Sequence, residues 1–236
     1  MKQYSKFIDH SPLKMDATEK EILSFCKEAI EYSFHSIVVF PYYIETARKA
    51  IDGSDVKLVT VAGFPFGNDL AEIKSNQTET YLAMGADEID MVMNLSAFKS
   101  GRIDDVKRDI DAVLKEVRKR NALLKVILEV ELLSEAEIVK ACNIVASAGA
   151  DYVKTSVGLL RGSKPAEVGA VKLMHDTVSS KGIKVKASGA IHTTEKFLAM
   201  IEAGASRIGT SRGIDLIQGL NDAKLKTAEK EFHQSG

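Results

Sequence analysis

The chain has 236 residues, enough for one large core, and carries 32 basic against 33 acidic residues for a formal net charge of −1. That balance offers no basic excess for nucleic acid and no charge block for a membrane surface. No apolar run is long enough to span a bilayer, "MKQYSKFIDHS" lacks an apolar signal core, and Cys26 and Cys142 have no CxxC or metal-like spacing, so a cytoplasmic protein with reduced thiols is expected.

In chain order, short apolar runs rich in β-branched residues predict eight strands: "KFID" (6–9), "SIVVF" (36–40), "KLVTVAGF" (57–64), "EIDMVMN" (88–94), "LKVILEV" (124–130), "DYVKTS" (151–156), "KVKAS" (184–188) and "RIGTS" (207–211). Between them run stretches of helical period. In 103–120, Ile103, Val106, Ile110, Val113 and Val117 share one face, and the charges around them read as the solvated side of an outer helix. Gly85, Gly149 and Gly204 each stand between such a stretch and the next strand, where glycine stops a helix in the left-handed conformation. Strands alternating with helices imply an α/β fold with a parallel sheet, and eight evenly spaced units predict a (β/α)8 TIM barrel occupying 1–236 as one domain. An open doubly wound sheet is the alternative. "EKEFHQSG" (229–236) reads as a frayed end.

Active sites of such barrels lie at the C-terminal ends of the strands. The polar residues there are Asp9, His10, Asn68, Asp90, Asn94, Glu129, Glu131, Lys154, Thr155, Ser156, Lys186, Ser188, Thr210 and Ser211. "DYVKTSVG" and "KVKASGA" both place a lysine shortly before a small hydroxyl-bearing strand end, on consecutive strands. Two ammonium groups in one mouth repel, and burial also disfavours the charged form, so at least one amine should have a lowered pKa. A neutral lysine amine forms a Schiff base with a carbonyl. The five histidines are widely separated and offer no metal cluster, so no metal and no cofactor are expected.

Six stretches carry a resemblance to a known family: "IDHSPLK" (8–14), "TVAGFPFG" (60–67), "GADEIDMVMN" (85–94), "AGADYVKTSVG" (148–158), "VKASGAIHT" (185–193) and "GASRIGTSRG" (204–213). They run in order over nearly the whole chain, which resembles the deoxyribose-phosphate aldolases, class I aldolases with a (β/α)8 fold. The resemblance implies reversible cleavage of 2-deoxy-D-ribose 5-phosphate to acetaldehyde and D-glyceraldehyde 3-phosphate, small-molecule phosphosugar and aldehyde partners, and a homo-oligomer, a dimer. It makes Lys154 the Schiff-base lysine, Lys186 its pKa-lowering neighbour, and Asp90 the proton handler.

For the phosphate, the loops after strands seven and eight offer Gly189 and Ser211, with Gly158 after strand six. Arg212 and Asp9 complete the expected binding set, although Asp9 also reads as a structural acceptor and Arg212 as a solvated side chain. The chain departs from the family where Ala190 follows Gly189, where His192 replaces a frequent arginine, at Arg212, at Val38 in place of a frequent cysteine, and at Val157 in "TSV". Two other readings stand beside the aldolase. A phosphosugar isomerase or epimerase would share the phosphate loops but leave the lysine pair unexplained. A non-catalytic sugar-phosphate binder gains nothing from two semi-buried ammonium groups.

Overall fold

All eight predicted strands form, and they close on one another. In the computed structural model, which describes residues 2–159 and 167–222, they pair in parallel in sequence order, β1 returning to β8. They are β1 (Ile8–His10), β2 (Ser36–Val39), β3 (Lys57–Ala62), β4 (Glu88–Val92), β5 (Leu123–Ile127), β6 (Tyr152–Lys154), β7 (Lys184–Ser188) and β8 (Ala205–Thr210). The family of closed parallel barrels with outer helices is therefore established for the described residues, and the open sheet is not. The expected frayed end at 229–236 lies outside them.

A short helix α1 (Lys2–Ser5) precedes the barrel. The outer layer is α2 (Glu19–Glu31), α3 (Ile44–Ala50), α4 (Ala71–Ala83), α5 (Leu95–Lys99), α6 (Ile103–Lys119), α7 (Glu135–Ala148), α8 (Val168–Val178), α9 (Thr194–Glu202) and α10 (213–222). Sequence chemistry sets their ends. Thr18 with Glu21, and Ser134 with Glu137, form reciprocal capping boxes that satisfy the first free N–H groups of α2 and α7. Gly149 ends α7 at φ 85°, a conformation that costs glycine little. Val106, Ile110, Val113 and Val117 are fully buried along α6, each contributing about 1.5–3 kcal/mol. An aspartate at Ile110 would leave a charge on that seam without a partner.

Strand side chains alternate, and the two faces differ in kind. Ile37, Leu58, Ile89, Met91, Leu124, Val126, Val153 and Ile208 belong to the main apolar core with the helices. The other face carries Asp9, Glu88, Asp90, Lys125, Lys154, Lys186 and Arg207, all nearly or wholly buried. Only part of the interior is aliphatic, as in Val38, Val59 and Val61 with Leu13, and Val92, Ile127 and Val157 around Phe64. A barrel interior filled mainly by Val, Ile and Leu is the usual solution; this one holds charge instead, confined largely to the arc from β4 through β8 to β1.

Both cysteines are buried, and burial pushes Cys26 up to about 11 and Cys142 up to about 12, which keeps them as inert thiols. Outside the barrel, Lys74 of α4 donates to Asp109 of α6 at 2.6 Å and to the Val92 carbonyl at 2.9 Å, tying the exit of β4 to two helices. The sequence reading did not single out this pair.

Candidate active site

Strand register assembles the site. Lys154 stands opposite Lys186, Asp90 opposite Lys125, and Lys186 opposite Arg207. Lys154 Nζ and Lys186 Nζ each donate to Asp90 Oδ2 at 2.8 Å, while Lys125 Nζ donates to Asp90 Oδ1 at 2.8 Å. Below them Lys186 lies 2.5 Å from Asp9 Oδ2, in an ion pair rather than a well-directed hydrogen bond. Lys125 pairs with Glu88 at 2.6 Å. Arg207 bridges Asp9 at 2.6 Å and Glu88 at 3.0 Å, and Ser36 Oγ donates to Asp9 Oδ1 at 2.7 Å.

The charges in this network do not cancel. Asp9, Glu88 and Asp90 face Lys125, Lys154, Lys186 and Arg207, so three carboxylates meet four potential cations. A low-dielectric interior resists that excess, and the group that can release a proton most readily will do so. It is Lys154. Burial lowers its pKa to about 8; Asp90 opposes the shift, and Lys186 and Lys125 add to it. Burial is thus the larger cause, and the like charge of Lys186 the smaller. For Asp90 burial acts upward, but Lys125, Lys154 and Lys186 override it and hold the carboxyl well below its ordinary value. Asp9 and Glu88 are likewise held down, against burial, by the same surrounding cations.

Lys154 forms the floor of a cavity of about 130 Å³ at the C-terminal mouth. Its wall comes from the ends of four strands: Ser11 and Lys14 after β1, Val157 and Gly158 after β6, Ser188 to His192 at the end of β7, and Gly209 to Ser211 at the end of β8. Strand-end hydroxyls fasten these loops together. Thr155 Oγ1 donates to the Ser188 carbonyl and accepts from its N–H, both at 2.9 Å, and Ser188 Oγ donates to the Ser156 carbonyl at 2.6 Å. The matched "KTS" and "KAS" endings thus serve to fix two lysines on adjacent, cross-stitched strands.

Gly158, Gly189 and Ser211 all line the cavity, together with His192 and Val157. Ala190 lines it at φ 48°, in the left-handed region where the paired glycine of the family pattern would sit without strain. Val38 belongs to the small aliphatic cluster of the mouth, where no polar group is needed.

Two members of the expected binding set stand elsewhere. Asp9 is fully buried beneath Lys186 and committed to Lys186, Arg207 and Ser36, so it supports the lysine and does not face the cavity. Arg212 is absent from the cavity wall; its exposed guanidinium pairs with Asp215 at 3.3 Å along the start of α10. Among the other strand-end residues, His10 turns outward to Glu28 at 2.8 Å and stacks on Phe25, and Asn94 caps α5.

Lys125, Glu88, Arg207 and Lys14 were missed by the sequence reading. Glu88 had a signal, a charged strand residue two positions before Asp90; Lys125 and Arg207 are brought opposite suspected residues only by the register. Lys14 sits in the loop after β1, at the end of the "IDHSPLK" stretch, which gave it no role of its own.

A closed (β/α)8 barrel with a lysine amine of lowered pKa in its mouth defines an enzyme class equipped to add an amine to a carbonyl. A model of the DeoC/LacD family aldolases matches residues 5–223. The deoxyribose-phosphate aldolase of Clostridium tetani is 47% identical over 216 residues, covering 92% of this chain and 98% of that one. Among solved structures, the aldolase QR15 superposes with a TM-score of 0.88 at 37% identity, over 95% of this chain and 99% of that one. A tetrameric deoxyribose phosphate aldolase from Aeropyrum pernix gives 0.87 at 30% identity, over 93% and 92%. The chain belongs to the DeoC/LacD family and is an aldolase.

Proposed function

We propose that the enzyme reversibly cleaves 2-deoxy-D-ribose 5-phosphate to acetaldehyde and D-glyceraldehyde 3-phosphate through a Schiff base on Lys154. The observation that carries this reading is the Lys154 amine itself, at the floor of the mouth cavity and lowered to about 8. At pH 7 roughly a tenth of such an amine is unprotonated, against about one in three thousand for an ordinary lysine.

The neutral amine adds to the C1 aldehyde of the open-chain sugar, and loss of water gives an iminium. As the C3 hydroxyl gives up its proton, the C2–C3 bond breaks; its electron pair flows into the iminium and leaves an enamine. D-glyceraldehyde 3-phosphate departs. Protonation at C2 and addition of water then release acetaldehyde and restore the amine. Asp90 has two parts in this. It orients Lys154, and with a water it takes up the C3 hydroxyl proton and returns a proton at C2 of the enamine. Its depressed pKa argues against its holding a proton in the resting enzyme. Lys186 disfavours the second positive charge, and Asp9, Glu88, Lys125 and Arg207 fix these groups in place. The phosphate is received by Gly158, Gly189 and Ser211, with Lys14 as the nearby cation.

Homo-oligomeric assembly, with a dimer expected, and a cytoplasmic location are part of this reading. The tetrameric relative favours assembly in general, and no helix among the described residues is long and apolar enough to cross a membrane. Borohydride added with acetaldehyde should leave a two-carbon adduct on Lys154, located by peptide mass spectrometry. Adduct mainly on another lysine, or none in active enzyme, would overturn the mechanism.

A further inference from the structure

One buried carboxyl near the mouth makes no hydrogen bond or ion pair with the lysine network. Glu129 follows β5, is 2% exposed, and adopts φ 54°, ψ 62°, a left-handed conformation unusual for a residue with a side chain. The backbone on either side of it is fastened to the exit of β6: Leu128 N–H donates to the Lys154 carbonyl and Val130 N–H to the Thr155 carbonyl, both at 2.9 Å. The left-handed residue between them sends its carboxyl further along the same loop, where Oε2 accepts the Val157 N–H at 3.0 Å. Oε1 is buried with no donor among the described residues. The groups facing the carboxyl are Glu131, on the turn that follows, and Lys154, on β6. Burial, reinforced by Glu131 and opposed by the Val157 N–H and Lys154, raises it to about 7, so a neutral acid is a major form near neutrality.

The segment it grips forms one wall of the cavity. Val157 and Gly158 line it, and Gly158 lies beside Gly189: a Cβ on Gly158 would meet the Gly189 Cα at 3.8 Å, ordinary van der Waals contact. A small shift of Val157 therefore changes the gap between two of the glycines assigned to the phosphate.

We propose that Glu129 is a positioning residue: by holding the Val157 N–H it sets the spacing of Gly158 against Gly189, and with it the affinity for the phosphorylated end of the substrate. This rests on the aldolase reading and assigns a specificity role to a residue outside its chemistry. Because the protonated acid is an important form, a neutral side chain of the same shape that still accepts from Val157 should replace it. Glutamine can do so, with its amide N–H turned to Glu131; methionine has similar bulk and no comparable acceptor.

The test compares Glu129→Gln with Glu129→Met on 2-deoxyribose 5-phosphate and on unphosphorylated 2-deoxyribose. Glu129→Met should raise KM for the phosphorylated sugar about tenfold or more, the scale of one lost hydrogen bond to an ionisable group, with a much smaller change in kcat. It should leave cleavage of the unphosphorylated sugar within about twofold, and Glu129→Gln should stay within about twofold of the unsubstituted enzyme on both. An unchanged KM in Glu129→Met, an equal loss on both sugars, or a Gln variant as impaired as Met would overturn the proposal. Should Glu129→Met fail to fold, hydrogen exchange at the Val157 amide in the unsubstituted enzyme and in Glu129→Gln decides. Protection in both is expected, and exchange at the rate of a free loop amide in either overturns it. The unsubstituted enzyme also carries the control for the reading beneath: absence of its borohydride adduct on Lys154 rejects the aldolase mechanism, whereas an intact adduct with a null Met variant rejects only the role of Glu129.

Discussion

Replacing Lys186 by leucine tests the origin of the lowered Lys154 pKa. The two ammonium groups each lie 2.8 Å from one carboxylate oxygen, and at an effective dielectric of about 20 unit charges about 5 Å apart repel by about 3 kcal/mol, close to two pKa units. That repulsion sets the scale of what Lys186→Leu can return to Lys154. Burial, the larger cause of the shift, persists in the variant, while Asp90 becomes free to favour the Lys154 ammonium. We expect the pKa to rise from about 8 by one to two units, so the neutral amine and the rate at pH 7 should fall about 10- to 100-fold. The sign is fixed: a raised amine pKa moves the acid limb of the rate profile to higher pH, and the loss should shrink toward pH 10.

Folding must be separated from chemistry in that experiment. Lys186→Leu leaves Asp9 Oδ2 without its ammonium, although Arg207 still holds Oδ1. A broken buried pair costs about 3–5 kcal/mol, so the melting temperature should drop, and rates belong well below it. Adding Asp9→Asn removes the stranded charge and should recover part of the stability without restoring the acid limb. The decisive measurement is kcat/KM against pH from 6 to 10 for the enzyme, the single variant and the double variant. An acid limb that stays in place, or a rate loss that persists unchanged at pH 10, would show that Lys186 does not tune Lys154.

Other substitutions probe the remaining parts. Asp90→Asn removes the group that favours the Lys154 ammonium, so the acid limb of borohydride trapping should move to lower pH while cleavage falls by about 10² or more; trapping that requires higher pH would contradict the assigned direction. Arg212→Ala should change cleavage of phosphorylated and unphosphorylated sugar by less than about twofold each, because its guanidinium pairs with exposed Asp215 and such pairs contribute about 0–1 kcal/mol; a loss confined to the phosphorylated sugar would return Arg212 to the binding set. Ala190→Gly relieves a left-handed alanine at φ 48° and should stabilise by about 1 kcal/mol, read as a rise of a few degrees in melting temperature; a fall would mean that the methyl group packs favourably enough to outweigh the strain.

The barrel was legible because it is written in local pattern. Eight β-branched runs and the i, i+3, i+4 face of α6 each act within a few positions of themselves; the capping boxes at Thr18 and Ser134 are equally local but were not read. Lys154 and Lys186 were legible because they sit in matched contexts on consecutive strands. Lys125 escaped because one lysine in an apolar strand reads as an edge residue until the register puts it opposite Asp90. Arg207 escaped similarly: its partners Asp9 and Glu88 lie 198 and 119 positions away, distances over which sequence carries no pairing signal. Arg212 was misplaced for the converse reason. Its position beside Ser211 pointed to the mouth, but side-chain direction is set by the turn into α10 and by Asp215, which the strand pattern does not encode.

The charged interior is better understood as a device for setting one proton than as a source of stability. An apolar set of the same volume at Asp9, Glu88, Lys125 and Arg207 would be as stable or more so, since desolvation of buried ions commonly exceeds their mutual attraction. Such a set would leave Lys154 and Lys186 sharing Asp90 alone, and Asp90 itself in an apolar medium that raises its pKa. The triad would then lower its cost by moving a proton onto the carboxylate, which would no longer orient the amine as a charged acceptor. Lys125 prevents that by occupying Asp90 Oδ1; Glu88 pairs with Lys125 and favours its charged form, and Asp9 pairs with Lys186. Arg207, which cannot lose its proton in a protein, holds both of those carboxylates ionised. With every other group committed, the one excess charge is left to Lys154, the member that reaches the cavity.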